Sequence, residues 1–361
     1  MPAILSVRDL MFARPVHTSQ GTIGLRRVWV LAVGDGSGLT GLGEAAPLPL
    51  FGGEKPKDCA AALAQAVDLL DDTFIATWLD RGRPDAPLGP LERVLAATPC
   101  ARSAVEGALL DLLAKLHGVP LAELLSPQYS PWIPVNALIS GNDQLAAADA
   151  AVRAGFRTVK VKLSPDHHLA AKQVTSLRTR VAKRIALRAD ANGAWTAEQA
   201  LAFASEIGPD ALEYLEQPLP AADLDRTAQL RRRAAVKIAL DESARVPADV
   251  GRIGAAQAAD VVVLKPMLFG GWRPIRQAVQ LAKSCGLGIV LSSTLDGAIG
   301  RAHATHMAAA LALDQQAHGL ATGDLIVDDL TTEPLKMSGG DITIHARAGL
   351  GIGDLKDPPT L

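Results

Sequence analysis

The sequence predicts an α/β protein: a closed parallel barrel of the TIM type with a separate α+β domain before it. Three observations carry this. Between residues 158 and 265, short β-rich runs end in Lys162, Asp190, Glu216, Asp241 and Lys265, so the successive steps (162 to 190, 216, 241 and 265) are 28, 26, 25 and 24 residues. Each step is about one strand plus one returning helix, which is what parallel neighbours require. Residues before 126 show strand signals and then helix signals, without alternation. At 361 residues, the chain is long enough for a barrel and a smaller companion.

In chain order, residues 4–10 alternate weakly, 27–33 run into the turn signal Gly34-Asp35-Gly36-Ser37-Gly38, and 39–44 return. Residues 17–24 are polar and glycine-bearing, and read as a surface loop or a mobile cover over a neighbouring site. From about 57 to 125 the pattern becomes alanine- and leucine-rich helix. Its clearest case is 101–116, where Val105, Leu109, Leu112, Leu113 and Leu116 recur at helical spacing between Thr98-Pro99 and Gly118-Val119-Pro120. The serines and prolines from Ser126 to Pro131 mark a boundary, giving 1–127 as the α+β domain and 128–325 as the barrel. Residues 326–361 carry turn and strand character and are expected to return to the first domain.

Eight barrel strands are expected at 135–139, 158–163, 185–190, 212–216, 238–241, 261–265, 288–292 and 319–323. The eighth is the weakest, because residues 318–324 look more like a loop. Composition adds exclusions. An apolar share of 48% against 20% charged fits a soluble globule, and a formal charge of -2 gives no reason to expect nucleic acid or an anionic membrane as partner. No run approaches the ~18 apolar residues of a membrane span, and the N-terminus breaks into charge before a signal peptide forms. Cys59, Cys100 and Cys285 are scattered and odd in number, and read as buried free thiols of a reducing compartment, so a cytoplasmic location is expected.

Strand alternation puts Lys160 and Lys162 on one face, with Val159, Val161 and Leu163 on the other. A wetted antiparallel strand would read the same way. In a barrel the lysines point inward, which is costly unless carboxylates or a metal face them. Asp190, Glu216 and Asp241 end consecutive strands and can converge at one rim. Such acids can also cap the following helices. Three in succession, without histidine or cysteine nearby and with inward lysines beside them, favour a Mg²⁺ site. Lys162 and Lys265 end strands two and six, across the mouth from each other. Lys160 is then a second cation that would ease proton loss from Lys162, suiting removal of a proton beside a carboxylate while Mg²⁺ holds the enediolate.

The run Lys160-Val-Lys162, Asp190-Ala-Asn192-Gly-Ala-Trp195, Glu216-Gln-Pro, Asp241-Glu-Ser, Lys265-Pro and Gly43-Glu44-Ala-Ala-Pro-Leu-Pro49 together resemble the enolase superfamily, muconate-lactonizing subgroup, over nearly the whole chain. The resemblance implies a (β/α)7β-type TIM barrel whose α+β capping domain is formed by the N-terminal region and the C-terminal tail. It implies Asp190, Glu216 and Asp241 as ligands of Mg²⁺, with Mn²⁺ as its substitute, and Lys162 as base. Lys265 would be the opposite lysine, a stabiliser or second acid/base, and residues 17–24 the pocket cover. The partner implied is a small-molecule carboxylate. A homo-oligomer is left open.

Within the subgroup, residues 43–49, Ser292-Ser293-Thr294-Leu295-Asp296 and 318–325 resemble enzymes that dehydrate a cyclohexadiene carboxylate to an aromatic acid on the route to menaquinone. Asp296 departs from the glutamate often found there. Rival activities are racemisation of N-acylamino acids, which residues 297–303 resemble, epimerisation of dipeptides, and muconate cycloisomerisation. Dipeptide epimerases of this kind usually carry Asp-X-Asp after strand eight, where this chain has only Asp324. Candidate substrate contacts are Asn192, Ser292, Ser293 and the backbone of Gly270 and Gly271. Trp195 reads equally as a stacking wall or as packing; His303 and His306, one helical turn apart, read as core or surface residues rather than a metal pair.

Overall fold

The computed structural model describes residues 2–18, 21–139, 143–181, 183–313 and 315–357. The chain opens with an antiparallel sheet of β1 (Ala3–Thr18), β2 (Gly21–Gly34) and β3 (Thr40–Ala45), in that order. The turn after β2 forms because the Asp35 carboxylate accepts from the backbone N of Ser37 (2.9 Å) and Leu39 (3.2 Å). The segment read as a loop at 17–24 is instead largely ribbon: Val16 pairs with Ile23, His17 with Thr22 and Thr18 with Gly21. Val16, Thr22 and Ile23 are β-branched, and that propensity outweighs the glycines. Residues 19 and 20 lie outside the described residues.

The helix Pro99–His117, closed by Gly118 in the left-handed conformation (φ 68°), packs across β3. The contact is so close that a Cβ on Gly41 would lie 2.1 Å from the Ala108 carbonyl oxygen, and one on Gly43 1.9 Å from that of Ala104. Gly43→Ala is therefore expected to destabilise the protein by about 1–3 kcal/mol through forced separation of sheet and helix. A thermal melt equal to wild type would contradict this packing account.

The barrel begins after β4 (Trp132–Pro134). Seven parallel strands follow in sequence order: β5 (Ala137–Ile139), β6 (Thr158–Lys162), β7 (Ala186–Asp190), β8 (Tyr214–Glu216), β9 (Ile238–Leu240), β10 (Val261–Leu264) and β11 (Gly288–Leu291). The expected eighth strand at 319–323 is reduced to two residues that close the ring. His318 N donates to Pro134 O (2.8 Å), and His318 O accepts from Asn136 N (2.9 Å). On the other side Gly319 N donates to Leu291 O (2.9 Å), and Gly319 O accepts from Ser293 N (3.1 Å). The segment stays short because the buried His318 ring joins the closure, Nδ1 accepting from Leu291 N at 2.9 Å and Nε2 meeting Leu313 O at 2.8 Å. A side chain on Gly319 would strike Ser292 Oγ, 2.6 Å away.

Inside the ring, Tyr214, Ala239, Val261, Val263 and Val290 form a small apolar core of their own. Beside it lies Arg188, fully buried, paired with Glu213 (2.7 Å), donating to Ala317 O (2.6 Å) and lying 4.8 Å from the Tyr214 ring centroid. These residues form the floor on which the charged rim stands.

After the ring, β12 (Met337–Ser338) and β13 (Asp341–Thr343) pair with β4 in a second three-stranded sheet. Other parts of this tail meet the N-terminal elements: Val327 N donates to Met11 O (2.9 Å) and Gly349 N to Val119 O (2.9 Å). Two buried charges tie the capping elements to the barrel. Arg26 donates to Ala46 O (2.6 Å), Pro47 O (2.9 Å) and Leu295 O (3.4 Å). Glu44 accepts from Gly297 N (2.6 Å) and Gly300 N (2.8 Å), capping the barrel helix Ala298–Ala310 from another sheet. Burial and the nearby Asp296 push the Glu44 carboxyl up to about 7 against those two donors.

That helix carries His303 and His306 as core residues: His303 Nε2 meets Leu42 O (2.9 Å), and His306 bonds Ala122 N (3.0 Å) and Leu350 O (3.0 Å). Burial lowers the His306 pKa to about 4, so its ring is neutral. Cys59 and Cys100 are buried free thiols, whereas Cys285 is exposed, correcting the expectation for it. It follows the last turn of the helix Trp272–Ser284, at a surface turn. Among the described residues no helix is long and apolar enough to cross a membrane.

Candidate active site

The strand register brings the charged residues together. Lys162 pairs with Asp190 and Asp190 with Glu216, so the three occupy one row across β6, β7 and β8. Asp241 follows β9 and Lys265 follows β10, continuing the rim at the carboxyl ends of the strands. All five border one cleft that is open to solvent. Val16 and Phe51 of the N-terminal region line it from the other side.

Within the cleft, Lys160 Nζ lies 3.0 Å from Asp190 Oδ2 and 2.6 Å from Glu216 Oε1. Burial opposes its charge, but Asp190 and Glu216 outweigh burial and hold the ammonium well above the usual lysine range. Lys160 is thus the counter-ion of two carboxylates. Lys265 Nζ donates to Asp241 and lies 5.5 Å from the Phe51 ring centroid. Burial raises the Glu216 carboxyl above the ordinary carboxylate range, the Lys160 ammonium opposing and Asp190 and Asp241 adding to the rise. For Asp241, burial is outweighed by Lys265, Arg245 and Lys160, which hold it below the ordinary carboxylate range.

Glu216 Oε2, Asp241 Oδ1 and Glu242 Oε2 are buried without a hydrogen-bond partner. Buried oxygens left in that state are costly, and a hard cation is what such a donor set accepts. As placed, no three His, Cys, Asp or Glu side chains among the described residues surround a single point closely enough to hold an ion. Each acid of the row is instead turned to an ammonium. The donor chemistry fits a cation; binding one would require the carboxylates to draw inward.

The candidate substrate contacts divide. Asn192 lines the cleft with φ 48°, its backbone N donating to Asp190 Oδ1 (3.0 Å) and its amide to Glu242 Oε1 (3.4 Å). Ser292 and Ser293 also line it, and Ser293 Oγ shares a hydrogen bond with Thr322 Oγ1 (2.9 Å). Gly270 and Gly271 do not. Gly270 O accepts from Arg102, and a Cβ on Gly271 would lie 2.3 Å from Glu106 Oε2, so these glycines let the loop seat against the helix Pro99–His117. Trp195 is packing, with Nε1 donating to Pro165 O (2.9 Å) and its ring 4.7 Å from Phe203. Asp296 is buried away from the cleft, accepting from Thr294 N (3.2 Å). Asp324 is exposed and borders a different cavity.

Several residues of the site escaped the sequence reading. Gln217 is buried in the left-handed region (φ 38°); its Oε1 accepts from Asp241 N (3.0 Å), and its Nε2 donates to Leu219 O (2.8 Å) and Ser243 Oγ (2.9 Å). It locks the β8 and β9 ends together, and its place directly after Glu216 was the available signal. Tyr214, two residues before Glu216, follows from strand alternation. Glu242 stood beside Asp241. Phe51, Val16 and Arg245 left no periodic signal, because they arrive from loops and from another sheet.

Residues 3–126 match the mandelate racemase / muconate lactonizing enzyme N-terminal domain, and residues 143–354 match the enolase C-terminal domain-like family. The o-succinylbenzoate synthase of Thermobifida fusca is 38% identical over 206 residues, which are 56% of this chain and 63% of that protein, so the match spans less than two thirds of the relative's length. The L-Lys-D/L-Arg epimerase of Methylococcus capsulatus is 31% identical over 340 residues, 90% of each chain. Muconate cycloisomerase 1 of Rhodococcus opacus is 25% identical over 358 residues, 96% of this chain and 94% of that one. Among solved structures, the dipeptide epimerase of Methylococcus capsulatus complexed with Mg ion has a TM-score of 0.83 and 28% identity, covering 98% of this chain and 99% of that one.

Proposed function

Because the chain belongs to the enolase superfamily, and carries the mandelate racemase / muconate lactonizing type of N-terminal domain, we propose that it removes a proton α to a carboxylate and passes through an enediolate. The substrate we assign is 2-succinyl-6-hydroxy-2,4-cyclohexadiene-1-carboxylate, dehydrated to o-succinylbenzoate. The identity to o-succinylbenzoate synthases, 38% and 37% over the matched segments, supports that choice. The observation that carries the chemistry is the row of Lys162, Asp190 and Glu216 facing one cleft with Lys265.

Lys162 takes the α-proton on Nζ. The electron pair left on carbon expels the neighbouring hydroxyl, which leaves as water with a proton returned from the Lys162 ammonium, and the ring becomes aromatic. Lys265, held by Asp241, offers positive charge on the opposite side of the substrate. Lys160 keeps the Asp190 and Glu216 carboxylates in place through its two ion pairs. Asp190, Glu216 and Asp241 would hold Mg²⁺, which supplies charge for the substrate carboxylate as the proton leaves. Phe51 and Val16 supply an apolar wall on the N-terminal side of the cleft.

A second reading, racemisation or epimerisation with Lys162 and Lys265 as paired bases, draws on the 31% identity to the L-Lys-D/L-Arg epimerase. Against a dipeptide substrate, the cleft wall after the closing segment offers Ala321 and Thr322, and Asp324 is turned away, so a free ammonium would meet no acid there. The test is a paired assay of the cyclohexadiene carboxylate and a panel of N-acylamino acids and dipeptides, with and without a chelator. Dehydration restored by added Mg²⁺ is the expected result. Racemisation alone would overturn the substrate and keep the chemistry; neither dehydration nor racemisation of any of these acids would overturn the enzyme.

A further inference from the structure

Four cationic side chains border the cleft, and three of them have work in the proposed reaction. The fourth, Arg245, does not. It follows β9 by five residues (240 to 245) and is half-buried at the cleft rim. Its backbone N donates to Asp249 Oδ2 (2.8 Å), but its guanidinium makes no ion pair or hydrogen bond among the described residues. The guanidinium lies beside the turn that carries Phe51: a Cβ on Gly52 would lie 3.4 Å from Arg245 Nε and 3.5 Å from its Cζ. The side chain is thereby held at the seam between the N-terminal turn and the barrel rim, with its five donors unspent.

A guanidinium partly withdrawn from water without an acceptor is unfavourable, and its planar fork matches the two oxygens of a carboxylate. Lys160 and Lys265 are already committed to carboxylates, and Lys162 must act on the reacting carbon, so Arg245 is the group left to receive a second anionic end. We propose that Arg245 binds the remote carboxylate of a dicarboxylate substrate, and so selects acids with a second carboxylate on a flexible arm reaching the seam between Phe51 and the β9 rim. This rests on the succinylbenzoate reading and names the residue that recognises the succinyl end.

The test is calorimetric binding in the presence of Mg²⁺, independent of turnover, with two probes: o-succinylbenzoate and its methyl ester at the succinyl carboxylate. Wild type is expected to bind the diacid about 10- to 100-fold more tightly than the ester, the range of a lost charged hydrogen bond. Arg245→Gln should weaken the diacid by that factor and leave the ester unchanged, and Arg245→Lys should recover part of the loss. Equal affinity of wild type for both probes, or an equal loss for both in the glutamine variant, would overturn the assignment. If wild type binds neither probe, the succinylbenzoate reading itself falls and takes the role of Arg245 with it.

Discussion

Lys162→Ala should lower kcat by about 10³- to 10⁴-fold while leaving the thermal melt within about 1 kcal/mol of wild type. The two halves of this expectation have separate causes. The amine shares a row with Asp190 and Glu216 and faces the cleft, so its loss removes the group placed to take the proton. Among the described residues it forms no ion pair, so truncation strands no buried carboxylate. Dehydration persisting at the wild-type rate in Lys162→Ala would move the base to Lys265.

Glu216→Ala should behave oppositely, losing stability as well as activity. The Lys160 ammonium, 85% buried by its side-chain exposure of 15%, would keep only Asp190 as counter-ion. Breaking a buried pair from one side costs about 3–5 kcal/mol, and the remaining Asp190 contact places the expected loss toward the lower figure. The same change removes a proposed Mg²⁺ ligand, so the rise in melting temperature on adding Mg²⁺ should shrink with it. A variant as stable as wild type, with an undiminished Mg²⁺ response, would show that Glu216 neither anchors Lys160 nor takes part in holding the ion.

These contrasts bear on how much the sequence could disclose. The strand-end residues were legible because two independent periods coincide on them, alternation within each strand and the 24- to 28-residue recurrence between strands. Only charges that share a rim satisfy both. The closing segment was legible in place but not in form: His318 and Gly319 complete the ring through a buried imidazole and a missing side chain, neither of which has a strand signature. The hairpin end at 17–24 was misread because turn-forming glycines were weighed above β-branched neighbours that pair across the ribbon. Gly270 and Gly271 had the composition of a ligand-binding turn but serve the close approach of the helix Pro99–His117, a contact that joins Arg102 to Gly270 across 168 residues and that no local pattern encodes. Phe51 and Arg245 were invisible for the same reason, since their meaning depends on which loop they face across the seam.

A crystal structure of the protein soaked with Mg²⁺ tests the central claim most directly. The account predicts one ion bound by oxygens of Asp190, Glu216 and Asp241 at about 2.0–2.1 Å, with the Lys162 amine directed into the same cleft. An ion held elsewhere, or a Lys162 amine directed away from the three acids, would contradict it.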